Sequence, residues 1–407
     1  MNALSLAATM ITALVLVPSA VLAIECLAAC FPQRRQRFAL VRVPRTVVLV
    51  PAHNEEDCLP DALRTLEPEL AEDDRIVVVA HNCSDRTAMV ARARGAEVVE
   101  ARDAGTGGKP DALKAGLAYL AQDPPEIVVI VDADCRVERG AVRALAMAAA
   151  AHGGPVQGDY RFGGEGEFNS VSGLALLVKN VVRPLGLTRL GLPCLLNGAG
   201  SAYPFEQLRA APHGEGSIAE DYQLAIDLAR AGHPTVFVPE ARVRSVLPGR
   251  EDAALRQRRR WEHGHLALVL RTAPWLIVEG LRNRSLFFLG VDLLVPPLAF
   301  LVLALLGALA LGLADRLVTG SSTSLVLAVS ASVVLAGGLG GALVRFLGAA
   351  STLRFALAVP AYVLRKLPLY LGFFKKRETR WQKTERTSAP GPRPAEERHH
   401  GRTGTDT

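Results

Sequence analysis

The sequence predicts an α/β domain with a mostly parallel sheet, joined to α-helical transmembrane segments. Three observations carry this prediction. Short β-branched runs alternate with helical patterns between residues 45 and 262. Polar clusters follow those runs, and ligands of such sheets sit beyond the carboxyl ends of the strands. Long uncharged stretches flank the region, half of the 407 residues are hydrophobic and the mean hydropathy is +0.22, too apolar for an ordinary soluble chain.

Taken in order, residues 1–30 read as a transmembrane helix, because Glu25 is the only charge between Ala3 and Cys30 and the stretch is long enough to span. No Lys or Arg precedes this apolar core, which argues against a cleaved signal peptide. Arg34, Arg35, Arg37, Arg42 and Arg45 follow it, so the positive-inside rule places the N-terminus outside and the next domain in the cytoplasm.

That domain occupies residues 45–262. Thr46–Val50 is a buried strand, and Asn54 is expected to cap a helix with Glu55, Glu56 and Asp57 in its first turn. Ile76–Ala80 is a second strand; Ser84 or Asp85 caps a helix that stops near Gly95. Glu97–Glu100 is a short strand. Pro110 suits the first position of a helix running to about Leu120. Ile127–Val131 is a further strand and ends in Asp132-Ala133-Asp134. This βαβαβαβ order calls for a parallel sheet covered on both faces. Ser217-Ile218-Ala219-Glu220 fits a capping box for a helix reaching Gly232. The first strand lacks a GxGxxG turn, and the chain has neither a P-loop nor an internal repeat.

Residues 263–284 read as an interfacial amphipathic segment and 285–344 as a transmembrane hairpin, with spans at Ser285–Leu313 and Ser324–Val344. The apolar stretch 353–374 carries Arg354, Arg365, Lys366 and two prolines. Charge at mid-membrane is costly, so this stretch is expected to be interfacial or re-entrant, with a third span as the alternative. The basic run Lys375–Arg386 stays cytoplasmic, and residues 387–407 are expected to be disordered. The resulting expectation is a multi-pass protein of the cell's inner (plasma) membrane. The net charge of +6 fits a membrane surface better than nucleic acid, because the basic residues cluster beside apolar stretches and aromatics are few. The six cysteines form no CxxC pair and read as reduced thiols.

Four constellations can carry chemistry. Asp132 and Asp134, at i and i+2 after a strand, point to one side and suit a Mg²⁺ or Mn²⁺ ion bridging a diphosphate; a polar turn explains them equally well. Asp221 can accept a proton from an attacking hydroxyl, although a helix cap alone accounts for Glu220. Gln257, Arg260 and Trp261 share one helix face, where Arg can neutralise a leaving diphosphate and Trp can pack on a sugar ring; a basic helix lying on anionic lipid is the competing explanation. Lys109 closes the Gly-rich stretch from Gly105 and can approach phosphate, or end a plain loop. The small-residue loop Asn197–Ser201 can line an acceptor channel or simply turn.

Together these residues resemble the processive-type family 2 glycosyltransferases, such as cellulose, hyaluronan and poly-N-acetylglucosamine synthases, and ceramide glucosyltransferases. The likeness covers about Thr46 to Trp261. Its motifs are PAHNEE at Pro51–Glu56, DxD at Asp132–Asp134, ED at Glu220–Asp221 and QxxRW at Gln257–Trp261, weak singly and specific in this order. The resemblance implies a GT-A fold and an inverting transfer of a hexose or N-acetylhexosamine. It implies Asp221 as general base and Asp134 as metal ligand. Pro51, His53, Glu55, His81, Lys109, Asp132 and Asp134 would bind the donor, and Glu220, Gln257, Arg260 and Trp261 the diphosphate and acceptor. The implied partners are a nucleotide-sugar, UDP-sugar first, a lipid or glycan acceptor, the membrane, and synthase or export subunits, with no nucleic acid. His81 stands where the family carries an Asp against the base. Imidazole can bond to a base but lacks the acceptor-only pairing of a carboxylate with a uracil N–H, which leaves the base open. A non-catalytic subunit of a polysaccharide synthase and a membrane nucleotidyltransferase are the competing functions.

Overall fold

The computed structural model describes residues 2–32, 42–102, 108–163, 171–212, 219–245 and 251–375. Helix α1 (Ala3–Ala28) leads into β1 (Thr46–Ala52), α2 (Leu59–Leu66), β2 (Arg75–His81), α3 (Thr87–Ala93), β3 (Glu97–Ala101), α4 (Lys109–Leu120) and β4 (Ile127–Ile130). There follow β5 (Cys135–Val137), α5 (Ala141–His152), β6 (Val156–Phe162), α6 (Val171–Leu177), a π turn (Val178–Val182), α7 (Arg183–Arg189), β7 (Ser201–Pro204), α8 (Phe205–Ala210), α9 (Glu220–Arg230) and β8 (Val236–Ser245). The remainder is helical: α10 (Glu251–Arg271), α11 (Ala273–Glu279), α12 (Arg284–Leu293), α13 (Leu298–Thr319), α14 (Thr323–Leu347) and α15 (Ala349–Lys375).

The strands form one eight-stranded sheet in the order β3-β2-β1-β4-β7-β6-β8-β5. The β3-β2-β1-β4 half is parallel, with Leu49 opposite Val77 on one side and Ile130 on the other. Its strands alternate in the face they bury rather than in polarity. Val48 and Val50 pack with α2 and α5, whereas Val47 and Leu49 pack with α4. Burial on both faces is why these runs are continuously apolar. The other half is mixed, since β7 runs antiparallel to β4 and β6, and β5 antiparallel to β8. The sheet is therefore less parallel than the first four strands alone imply.

Three local expectations are corrected. Asn54 does not cap a helix: it takes a left-handed φ of 54°, and α2 begins later, at Leu59, with a proline in its first positions. Its side chain instead joins the β1 and β2 loops, donating from Nδ2 to Ser84 Oγ at 3.1 Å and accepting from Ser84 N at 2.7 Å. Helix α9 starts at Glu220 with Ala219 as N-cap and no side-chain cap, so Glu220 is not the third residue of a capping box; Ser217 lies outside the described residues. The expected span Ser285–Leu313 is two helices, α12 and α13, separated around Pro296-Pro297. Proline lacks the N–H that helix continuation needs and disfavours helical geometry in the residue before it.

Among the described residues, four helical stretches are long and apolar enough to cross a membrane: Ala3–Ala28, Val171–Arg189, Leu298–Thr319 and Thr323–Leu347. Val171–Arg189 is largely buried and packs against β6, β8 and α1. Helix α1 lies along α14 so closely that a Cβ on Gly338 would stand 2.5 Å from Ala23 Cα, the small-residue contact typical of membrane helices. Buried Asp315 joins α1, α13 and α14 by accepting from Ser5 Oγ (2.8 Å) and Ser324 Oγ (2.6 Å). The stretch expected at 353–374 is part of one helix, α15, which packs on α13 and α14 and reaches α6 and α10. All six cysteines are free thiols. The basic run after Lys375 and the tail 387–407 lie outside the described residues.

Candidate active site

The strand ends of the parallel half open onto a cavity of about 310 Å³, and the twelve residues to which the resemblance assigns a role all line it. Pro51, His53 and Glu55 come from the end of β1, His81 from β2, and Asp132 and Asp134 from β4. Lys109 opens α4, Glu220 and Asp221 open α9, and Gln257, Arg260 and Trp261 come from α10. Residues more than a hundred positions apart thus meet at one sheet edge.

Lys109 ties the clusters together. Its Nζ lies 2.7 Å from Asp132 Oδ1 and 3.8 Å from Asp221 Oδ1, and donates to the Gly198 carbonyl at 2.9 Å. Gly198 has φ 103°, and a Cβ there would fall 3.1 Å from Asp221 Oδ2, so glycine admits the carboxylate. Burial opposes the charge on Lys109, yet Asp132 and Asp221 outweigh it and hold the ammonium above the usual lysine range. Burial raises the Asp221 carboxyl above its usual range, against the pull of Lys109. Burial, followed by the neighbouring Asp221, pushes Glu220 up to about 7.

On the donor side, Asp134 Oδ2 accepts from Ser245 Oγ at 2.9 Å, and His53 Nδ1 lies 2.7 Å from the His81 carbonyl oxygen. The ligand atoms of Asp132, Asp134 and Cys135 lie within 4.8 Å of one another. Burial pushes the Cys135 thiol well up, so it stays protonated, which leaves two carboxylates as donors. An oxygen-only donor set suits a hard divalent cation such as Mg²⁺ or Mn²⁺. Two buried polar atoms on the cavity wall, Gln257 Oε1 and His265 Nε2, have no partner among the described residues. Buried polar groups are ordinarily hydrogen-bonded, so these mark places for a ligand.

The structure adds residues that sequence reasoning missed. The Phe162 ring, at the end of β6, lies 5.5 Å from that of Trp261. Arg258 Nη1 donates to Ser172 Oγ at 2.8 Å, and Ser172 donates to Tyr362 OH of α15 at 3.0 Å. Glu262 receives Lys366 and, at 2.5 Å, Tyr370 OH, which fastens α15 to α10. Lys179, Arg183, Tyr222 and His265 also line the cavity, as do Asn197 and Gly198 from the small-residue loop. Burial and the nearby Arg183 and Lys179 hold His265 well below the usual histidine range, so it is neutral. Charges inside an apolar helix, as in LLVKNVVR at residues 176–183, were a signal that could have been read. Gly105–Gly107, before Lys109, lie outside the described residues.

Comparisons with known proteins meet this geometry. The profile of glycosyltransferase like family 2 matches residues 44–264. No curated protein matches the chain. A mannosyltransferase from Pyrobaculum calidifontis, solved in complex with GDP-Man and Mn²⁺, is 18% identical, with 89% of this chain and 99% of that one covered and a TM-score of 0.56. Glucosyl-3-phosphoglycerate synthase from Mycobacterium tuberculosis, in complex with Mn²⁺, UDP and phosphoglyceric acid, is 24% identical over 53% of this chain and 75% of its own, at a TM-score of 0.37. With the family profile covering more than half of its length, on a fold shared with the mannosyltransferase, the chain belongs to glycosyltransferase like family 2 and is a glycosyltransferase with a GT-A domain.

Proposed function

We propose that the chain is a membrane-bound inverting glycosyltransferase that moves a sugar from a nucleoside-diphosphate donor to a membrane-held glycan or lipid. The observation that carries this reading is Lys109, which places Asp132 and Asp221 on either side of one ammonium within the cavity. The diphosphate lies along Asp132, Asp134 and Lys109, and the nucleoside beside His53, Glu55 and His81. A Mg²⁺ or Mn²⁺ held by Asp134, next to Asp132, neutralises diphosphate charge when bound. Asp221 takes the proton of the acceptor hydroxyl as that oxygen bonds to the anomeric carbon and the nucleoside diphosphate leaves. Arg260 and Lys109 balance the charge that builds on the leaving group. Gln257 and Trp261 hold the acceptor end.

Helices α1, α13 and α14 are assigned as the spans, with α15 and the segment 263–284 at the cytoplasmic interface. The arginines after α1 support a cytoplasmic catalytic domain at the inner membrane. Leu22, Val295, Pro297 and Leu298, from or next to membrane helices, line the cavity, which supports an acceptor arriving from the bilayer.

UDP-sugars and GDP-Man are the donors to test. The assay is release of nucleoside diphosphate by purified full-length protein with Mn²⁺ and a membrane lipid extract. Asp221→Asn is expected to abolish transfer and keep donor binding; full activity in that variant removes Asp221 from its role. Absence of any binding heat with nucleotide-sugars would favour a non-catalytic subunit instead.

A further inference from the structure

The acceptor wall of the cavity is charged in a way that the transfer reaction does not require. Lys179 stands on the π turn between α6 and α7, an irregularity frequent at functional sites. Its Nζ lies 5.1 Å from the centroid of the Tyr222 ring, and Tyr222 follows Asp221 directly. One helical turn on, buried Arg183 is already neutralised: its Nε donates to Glu25 Oε2 of α1 at 2.7 Å, and its Nη2 to Asp292 Oδ1 of α12 at 2.5 Å. Among the described residues no carboxylate pairs with Lys179. It lines the cavity near enough to Asp221 for its charge to favour that carboxylate. The Tyr222 ring that it faces meets the His265 ring edge to face at 5.3 Å. His265, 6% exposed, presents a partnerless Nε2. The mouth beyond is apolar, formed by Leu22, Leu176, Val295, Pro297 and Leu298.

A cation outside salt-bridge distance of any described carboxylate, an unused imidazole nitrogen and an apolar mouth complement one chemistry: an amphiphile whose anionic group lies beside its accepting hydroxyl. We propose that the acceptor is a phosphate-bearing lipid, whose phosphate is held by Lys179 with its chains in the apolar mouth. The inference rests on the proposed transferase reading and names its acceptor class. The hydroxyl, not the phosphate, is the nucleophile: its oxygen bonds to the anomeric carbon, its proton passes to Asp221, and the nucleoside diphosphate leaves.

The test uses the full chain in a neutral detergent and native mass spectrometry with three probes: dioctanoyl phosphatidylglycerol, dioctanoylglycerol and inorganic phosphate. The charged lipid is expected to bind about tenfold or more tightly than the neutral one, a modest factor for one partly exposed charge contact. Lys179→Met should bring the ratio near one, and Lys179→Arg should restore it. A ratio unchanged in Lys179→Met, or near one in the wild type, overturns the proposal. Inorganic phosphate binding as tightly as the charged lipid also overturns it, because the lipid portion would then contribute nothing. Nucleotide-sugar binding is measured on the same samples. Its presence in Lys179→Met shows that the variant is folded, and its absence from the wild type would refute the transferase reading separately from the lipid preference.

Discussion

Glu220→Gln is the sharpest probe of the electrostatics at the mouth of α9. Glu220 titrates at about 7 in the folded chain, against 4.5 when unfolded, because burial and Asp221 penalise its charge. Below pH 4.5 it is neutral in both states and contributes nothing to the pH dependence. Between 4.5 and 7 the folded chain keeps a proton that the unfolded chain has released, so stability falls as pH rises. Above 7 both states are ionised and the penalty is complete. At about 1.4 kcal/mol for each tenfold difference in proton affinity between the two states, the penalty is on the order of 3 kcal/mol. Water in the cavity screens part of it, leaving about 1–3 kcal/mol. Glutamine keeps the shape without the charge. The variant should therefore match the wild type near pH 4.5 and melt higher near pH 8, by about 2–4 °C per kcal/mol. Thermal melting in detergent with EDTA measures this, and the wild-type difference cancels the titrating groups that do not interact with Glu220. The same substitution should move the acid limb of kcat/KM downward, since the Glu220–Asp221 pair titrates together. Equal melting temperatures at pH 8 would refute the assignment of Glu220 as a buried, charge-penalised carboxyl.

Two further outcomes test the membrane half. Gly338→Val places a Cβ 2.5 Å from Ala23 Cα and should cost at least the 1–3 kcal/mol typical of overpacking; Gly337→Val, where nothing lies within 4 Å, serves as the unchanged control in the same melting assay. Arg183→Met leaves Glu25 and Asp292 buried without their cation and should destabilise by about 3–5 kcal/mol. Replacing all three charges by apolar residues of similar volume should recover most of that loss in chemical denaturation.

The parallel half of the sheet was legible because each strand there is a β-branched run buried on both faces and set between helices, so local pattern and global position agree. Asp132, Asp221 and Arg260 could be found from motif order. What could not be read is whatever depends on pairing at long range. β5 has three residues and exists as a strand only because Ser245, Arg244 and Val243 of β8 lie beside it. The same pairing brings Ser245 to Asp134. Asn54 fits the pattern of a cap, yet Ser84 offered its side chain a better bond across two loops. Pro296-Pro297 was in plain view, but mean apolarity over Ser285–Leu313 hid a break that only backbone chemistry reveals.

The Arg183 triad links the catalytic domain to α1 and α12. Arg183 belongs to a helix wedged against β6 and β8, Glu25 to α1 and Asp292 to α12, just before the break that leads into α13. A buried ion pair rarely adds net stability, because desolvation consumes the attraction. It does discriminate between arrangements: sliding α1 by one turn would strand Glu25 and expose Arg183 to apolar surroundings. The close contact of Ala23 with Gly338 and the Ser5–Asp315 hydrogen bond resist such a slide as well. The triad thus adds to the register that those contacts set. That register matters because Leu22, one turn before Glu25, is part of the cavity wall. Charges that take no part in the proposed transfer therefore help to hold that wall in place.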